Sequence, residues 1–90
     1  MSENINENKY WVYIMECGDG SLYTGITNDI GKRLAVHNSG KGAKYTRGRL
    51  PVKVVYKEIV SGKGVALSRE RAIKKLSRDE KLELLKSGYE

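Results

Sequence analysis

The segment Lys9-Tyr10-Trp11-Val12-Tyr13-Ile14-Met15-Glu16-Cys17-Gly18-Asp19-Gly20-Ser21-Leu22-Tyr23-Thr24-Gly25-Ile26-Thr27 decides the fold. Lys9 to Cys17 reads as a strand: Tyr10, Trp11, Val12, Tyr13, Ile14 and Met15 are β-prone and nearly all apolar, the pattern of a strand covered on both faces. Gly18-Asp19-Gly20 is turn chemistry, because glycine takes positive φ without a Cβ penalty. Ser21 to Thr27 then forms a second strand, antiparallel to the first. With residues 18–20 as the loop, Cys17 faces Ser21 and paired positions sum to 38. Tyr13 then lies opposite Gly25 and Met15 opposite Tyr23, with both tyrosines on one side of the sheet as diagonal neighbours. A two-residue turn would send them to opposite sides. A glycine across from Tyr13 suits a place where something approaches the backbone closely. The alternative for both tyrosines is packing.

Working outward, Asn28 or Asp29 can cap a helix from about Ile30 to Asn38, ended by the Gly40 region. Lys41 to Pro51 reads as a basic loop. Val52 to Val60 is a third strand, apolar enough to lie centrally. Ser61-Gly62-Lys63-Gly64 breaks the chain before a helix from about Val65 to Leu76. Ser77-Arg78-Asp79-Glu80 is a capping box, so a last helix runs from there to Lys86, with Gly88 beyond its end. Asp79 and Glu80 belong to that helix start, where the dipole favours negative charge. The expected fold is α+β: a three-stranded antiparallel sheet flanked by helices in the order ββαβαα. One domain over residues 9–87 would follow a disordered lead-in of residues 1–8 that holds Glu3 and Glu7 and no base.

The chain has 90 residues, with 17 Lys and Arg against 11 Asp and Glu, a formal charge of +6 and an isoelectric point near 9.5. Its length allows one domain and excludes a separate module for an organic cofactor. Hydrophobic residues make up only 39%, so the core must be thin. No apolar run is long enough to span a membrane and no leader pattern is present, which leads us to expect a cytoplasmic protein. Cys17 is the one cysteine; it excludes an internal disulfide and an all-thiolate zinc site, and we assign it no role. From Lys41 to Lys57 the bases Lys41, Lys44, Arg47, Arg49, Lys53 and Lys57 occur with no acid between them. A second basic group runs from Arg69 to Lys81. Such a balance points to a polyanionic partner and not to a reaction.

Polar residues on apolar faces narrow the question. Ile30, Leu34 and His37 share one helical stripe, with Arg33 flanking it. The ordinary alternative is a satisfied core histidine beside a snorkelling arginine. Glu70 falls in an arc formed by Ala66, Leu67 and Ile73. A buried carboxylate costs several kcal/mol unless it pairs with a base, binds a metal or is protonated. Its structural partner would be Arg33 or Arg69.

Trp11-Val12-Tyr13 followed by Tyr23-Thr24-Gly25 resembles the paired signature of the GIY-YIG nuclease superfamily. Arg33 and His37 on the first helix and Glu70 on a later one follow in that family's order. The stretch from Leu34 to Arg49, with Ala72-Ile73-Lys74-Lys75-Leu76, is similar to the small single-domain bacterial branch known as UPF0213. The likeness covers roughly Tyr10 to Leu85. Trp11 and Val12 stand where the family has glycine and isoleucine, and Thr24 where it has a second isoleucine. Both tyrosines and Gly25 are kept, so the departure touches a backbone contact and not the chemistry.

The resemblance implies hydrolysis of phosphodiester bonds in DNA, or in RNA, leaving 5′-phosphate and 3′-hydroxyl ends. Glu70 would hold one Mg²⁺ or Mn²⁺, with water and substrate phosphate completing the shell. Arg33 offers a planar fork to a phosphate oxygen. Tyr13 would take a proton from the attacking water, which requires nearby positive charge to favour the phenolate. His37 would accept that proton or orient Tyr13, and Tyr23 would donate a supporting hydrogen bond. The two tyrosine roles are exchangeable at this level. Lys41, Lys44, Arg47 and Arg49 would contact substrate backbone, with Tyr45 free to stack on an unpaired base; a solvated charged loop is the alternative. By analogy the setting would be DNA repair or recombination. A nucleic-acid-binding module, or a nuclease subunit needing a protein partner, is the competing function.

Overall fold

The unbroken apolar run of the first strand makes it the centre of the sheet. The computed structural model describes residues 8–88. Strands β1 (Lys9–Glu16), β2 (Leu22–Thr27) and β3 (Lys53–Ser61) form one antiparallel sheet in the order β2-β1-β3. Around it lie α1 (Ile30–Asn38), the short α2 (Lys44–Arg47), α3 (Lys63–Lys74) and α4 (Arg78–Gly88). The expected order ββαβαα holds, with α2 added inside the segment read as a loop. Of the lead-in expected over residues 1–8, residues 1–7 lie outside the described residues; the Asn8 carbonyl accepts from the Gly62 amide.

Gly18-Asp19-Gly20 is the hairpin loop: Cys17 N–H donates to the Ser21 carbonyl at 2.8 Å, and Gly20 takes a φ of 85°. Tyr13 therefore pairs with Gly25 and Met15 with Tyr23, the expected register. Asp19 stiffens the turn by accepting from the Ser21 amide at 3.0 Å and the Ser21 hydroxyl at 2.5 Å.

The expectation of a central third strand is wrong. β1 is buried continuously from Val12 to Met15, whereas β3 alternates and leaves Ile59 52% exposed. An edge strand has one flank unpaired and less cover, which suits the exposed Lys53, Lys57 and Ile59. A bulge at Ile14/Met15 shifts the β1–β3 register by one residue.

Two cores result, one on each face of the sheet. Val12, Ile14 and Tyr56 pack with Ala66 and Ile73 of α3, and Leu84 and Leu85 of α4 close over them. Tyr13, Met15, Cys17 and Val52 pack beneath Ile30 and Leu34 of α1. Period-two alternation along β1 thus splits its side chains between two helical layers.

The helix ends follow their signals. Asp29 caps α1 by accepting from the Lys32 amide at 3.0 Å, and Gly40 beyond it takes a φ of 82°. Ser77 and Glu80 form the reciprocal box of α4: Glu80 N–H donates to Ser77 Oγ at 3.1 Å and Ser77 N–H to Glu80 Oε1 at 2.8 Å. α3 begins at Lys63, two residues before the expected start, because Gly62 with its φ of 103° makes the break by itself. α4 continues through Gly88. None of the described helices is long and apolar enough to cross a membrane.

Asn38 joins α1 to the approach to β3. Its Nδ2 donates to the Val52 carbonyl at 3.0 Å while its Oδ1 accepts from the Val52 amide at 2.8 Å. Asn38→Ala leaves both backbone groups unpaired in a part-buried place. The expected loss is about 1–3 kcal/mol of unfolding free energy, read from the urea midpoint with an unchanged m-value.

Candidate active site

The five expected site residues are positioned by three elements: the β1–β2 hairpin, α1 and α3. Tyr13 is 1% exposed, and its phenol lies directly over the backbone of Gly25. A Cβ at residue 25 would fall 2.5 Å from the Tyr13 hydroxyl. The close approach expected at this glycine is therefore made by Tyr13 itself.

His37 is fully buried in the stripe it shares with Ile30 and Leu34. Its Nε2 lies 3.4 Å from the Tyr13 hydroxyl, and its Nδ1 lies 2.7 Å from Thr46 Oγ1. Thr46 decides the tautomer. Its hydroxyl has one proton, which goes to the Ala43 carbonyl at 2.9 Å. Oγ1 must then accept, so Nδ1 carries the imidazole proton and Nε2 turns a lone pair towards Tyr13. Burial, and then the Arg33 charge, hold the His37 pKa below its usual 6.5, so the ring is neutral at pH 7.

Tyr23 lies on the same face as Tyr13, as the register requires. Its ring sits 5.4 Å from that of His37 and 5.9 Å from that of Tyr45, nearly parallel to the latter. Arg33 of α1 lies near the Tyr13 phenol and acts on its ionisation. Burial raises the Tyr13 pKa above its ordinary 10; Arg33 opposes this, while Tyr23 and Glu70 add to it. The net direction is upward. The condition that positive charge should favour the phenolate is not met, because desolvation outweighs one guanidinium.

Glu70 approaches from α3, in the layer opposite α1, yet its charge acts on Tyr13. Its side chain is 19% exposed and pairs with Lys74 Nζ at 3.2 Å. Neither partner expected for it is used: Arg33 turns to Tyr13, and Arg69 binds Glu58 at 2.7 Å. Of the expected apolar arc, Ala66 and Ile73 are buried, while Leu67 is exposed. Among the described residues no three His, Cys, Asp or Glu side chains gather as ligands. The donor set at Glu70 is one hard carboxylate, which fits Mg²⁺ or Mn²⁺ sharing water and substrate oxygens.

The basic segment divides into two parts. Lys41, Lys44 and Arg47 are exposed, with Arg47 Nε donating to the Gly42 carbonyl at 3.4 Å. Arg49 is held within the fold: Nε donates to Asp19 at 3.1 Å, Nη1 to the Tyr45 carbonyl at 2.7 Å, and its guanidinium lies 4.1 Å from the centre of the Tyr45 ring. Tyr45 is 40% exposed but already has Tyr23 and Arg49 against its ring. It is not the free stacking platform the sequence suggested.

Thr46 and Gly42 belong to the site and are not distinguishable by sequence. A Cβ on Gly42 would come within 2.8 Å of His37 Cγ. A four-residue helix carries no readable periodicity, so the inward turn of Thr46 has no pattern to announce it. Thr46→Val keeps the shape and removes the acceptor. In ¹⁵N-detected spectra of the imidazole, the parent should show Nδ1 protonated, and Thr46→Val should lose that preference while Thr46→Ser restores it.

Residues 9–83 match the model of the GIY-YIG catalytic domain. A UPF0213 protein of Clostridium perfringens is 58% identical over 77 residues, covering 86% of this chain and 83% of that protein. One from Staphylococcus saprophyticus is 52% identical over 80 residues, covering 89% and 98%. The solution NMR structure of a UPF0213 protein from Bacillus halodurans superimposes with a TM-score of 0.58 at 47% identity, over 89% of this chain and 86% of that one. A solution NMR structure of an E. faecalis protein gives 0.61 at 41% identity, over 88% and 84%. The chain belongs to the GIY-YIG catalytic-domain family, within its UPF0213 group.

Proposed function

We propose that this chain is a metal-dependent endonuclease that hydrolyses phosphodiester bonds of DNA or RNA. The observation that carries the reading is the surroundings of one hydroxyl. The Tyr13 phenol lies 3.4 Å from His37 Nε2, with the Arg33 guanidinium, Tyr23 and Glu70 near enough to act on its ionisation. The catalytic-domain match and the formal charge of +6 support a polyanionic substrate.

The tautomer of His37 sets the direction of proton flow. Tyr13 donates its proton towards Nε2, so its oxygen lone pairs remain to accept from Arg33 and from an attacking water. As that water adds to phosphorus, its proton passes to the Tyr13 oxygen and the original phenol proton passes to His37. Tyr13 is then a relay that never exists as free phenolate, which suits its raised pKa. This assigns the general base to the Tyr13–His37 pair and leaves Tyr23 as the supporting donor. Arg33 also presents N–H groups to a non-bridging phosphate oxygen.

Glu70 would hold a divalent cation, whose contribution would be Lewis-acid stabilisation of the leaving 3′ oxygen. Lys74 must release Glu70 for this, and the pair is weak enough: Lys74 is half exposed, and such ion pairs contribute about 0–1 kcal/mol. Lys41, Lys44 and Arg47 are exposed and would contact phosphates.

Single-stranded, duplex and branched DNA and RNA incubated with Mg²⁺ or Mn²⁺ test the reading. Metal-dependent products should appear, and Glu70→Ala should lower the rate roughly 10²–10³-fold. Equal cleavage by Glu70→Ala would overturn the metal assignment. The acid limb of the pH–rate profile provides a separate check. His37 must be neutral to accept the proton, and its folded pKa lies below 6.5. The rate should therefore hold as pH falls to 6.5 and decline only below it; a limb centred above 6.5 contradicts the role of His37.

A further inference from the structure

We infer that the open end of the sheet face beside Tyr13 is a platform for an unpaired nucleobase, with Trp11 as the stacking surface and Lys57 as its phosphate contact. The inference rests on the nuclease reading for its substrate class but on different residues. Tyr13 and Trp11 point to the same face, two residues and about 7 Å apart along β1. In register, Lys57 lies directly opposite Tyr13, and Ile59 and Thr27 lie on either side of Trp11. Helix α1 covers this face over Tyr13 and Met15, leaving Trp11 half-buried, Lys57 exposed and Ile59 52% exposed.

Charge decides what such a face can accept. Among the described residues, the sheet positions on this face carry no carboxylate, whereas Glu58 points to the other face and is held by Arg69 and Tyr56. The shallow groove that continues from Thr27 to Arg33 contains Asp29, but that carboxylate accepts from the Lys32 amide as the α1 cap. The Lys57 ammonium lies 5.1 Å from the centre of the Trp11 ring. That cation–π contact is exposed and weak. A base arriving on the indole replaces the ammonium, and the flexible lysine stem lets it swing to the adjoining phosphate. An aromatic ring flanked by Ile59 and served only by cations matches a base with its phosphate better than an acidic or apolar protein surface. A paired base inside a duplex exposes no face to the ring, so the occupant is single-stranded or splayed.

Trp11 is the only tryptophan of the chain, so its emission reports the platform directly. The probe is a twelve-nucleotide oligothymidylate, titrated in EDTA so that no cleavage can occur, beside a blunt duplex of equal length. We expect saturable quenching by the single strand and little by the duplex. By anisotropy of a labelled oligonucleotide, Trp11→Ala should weaken single-strand binding roughly 5- to 100-fold, with Trp11→Phe restoring most of it. Lys57→Ala should reduce the salt slope of log K by about 0.7. Single-strand binding without quenching, absence of binding, or an equal effect of Trp11→Ala on duplex each overturns the platform. An emission shift on concentrating the protein alone overturns it in favour of self-association. Because no metal or turnover is involved, quenching without cleavage would defeat the nuclease reading and leave the platform standing. Cleavage with no quenching would do the reverse.

Discussion

The seat of the Tyr13 phenol on the bare backbone of Gly25 is the contact on which the site depends. It requires residues 18–20 to be the loop, because only that register sets Tyr13 opposite Gly25. It also requires that residue 25 have no Cβ, which would lie 2.5 Å from the hydroxyl. With the ring lying along the sheet, its hydroxyl reaches His37 Nε2 and Arg33 from α1. The same register puts Tyr23 on that face, within 5.4 Å of the His37 ring. A hairpin loop shorter by one residue would turn one tyrosine into the opposite core.

Burial governs the chemistry available to these groups. Desolvation moves His37 and Tyr13 towards their neutral forms, the former downward and the latter upward. Arg33 reinforces the first shift and opposes the second. The outcome in the resting protein is a neutral imidazole facing a neutral phenol. Thr46 gives the pair its direction, and Gly42 gives the ring its space.

The basic segment between α1 and β3 shows how neighbouring charges separate into different roles. Lys44 and Arg47 flank Thr46 on α2, yet they point to solvent while Thr46 turns inward to His37. Arg49, two residues on, ties this segment to the hairpin turn through Asp19 and supports the Tyr45 ring. Composition registers all of them equally as positive charge. Only the path of the backbone distinguishes a solvent-facing base from a brace.

The hairpin, the α1 stripe, the capping box of α4 and the facing of both tyrosines were legible in the sequence because each rests on local spacing, turn chemistry or period-two alternation. Arg33, His37 and Glu70 were legible as polar residues placed on apolar stripes. The edge position of β3, the pairing of Glu70 with Lys74, the inward turn of Thr46 and the bracing of Arg49 were decided by tertiary structure alone. They depend on which elements meet across gaps of many residues, and apolar content, helical period and charge count carry no information about that. The same holds for the protonation of Tyr13. Its type and register follow from the chain, but whether burial or Arg33 prevails depends on how much water the assembled layers exclude.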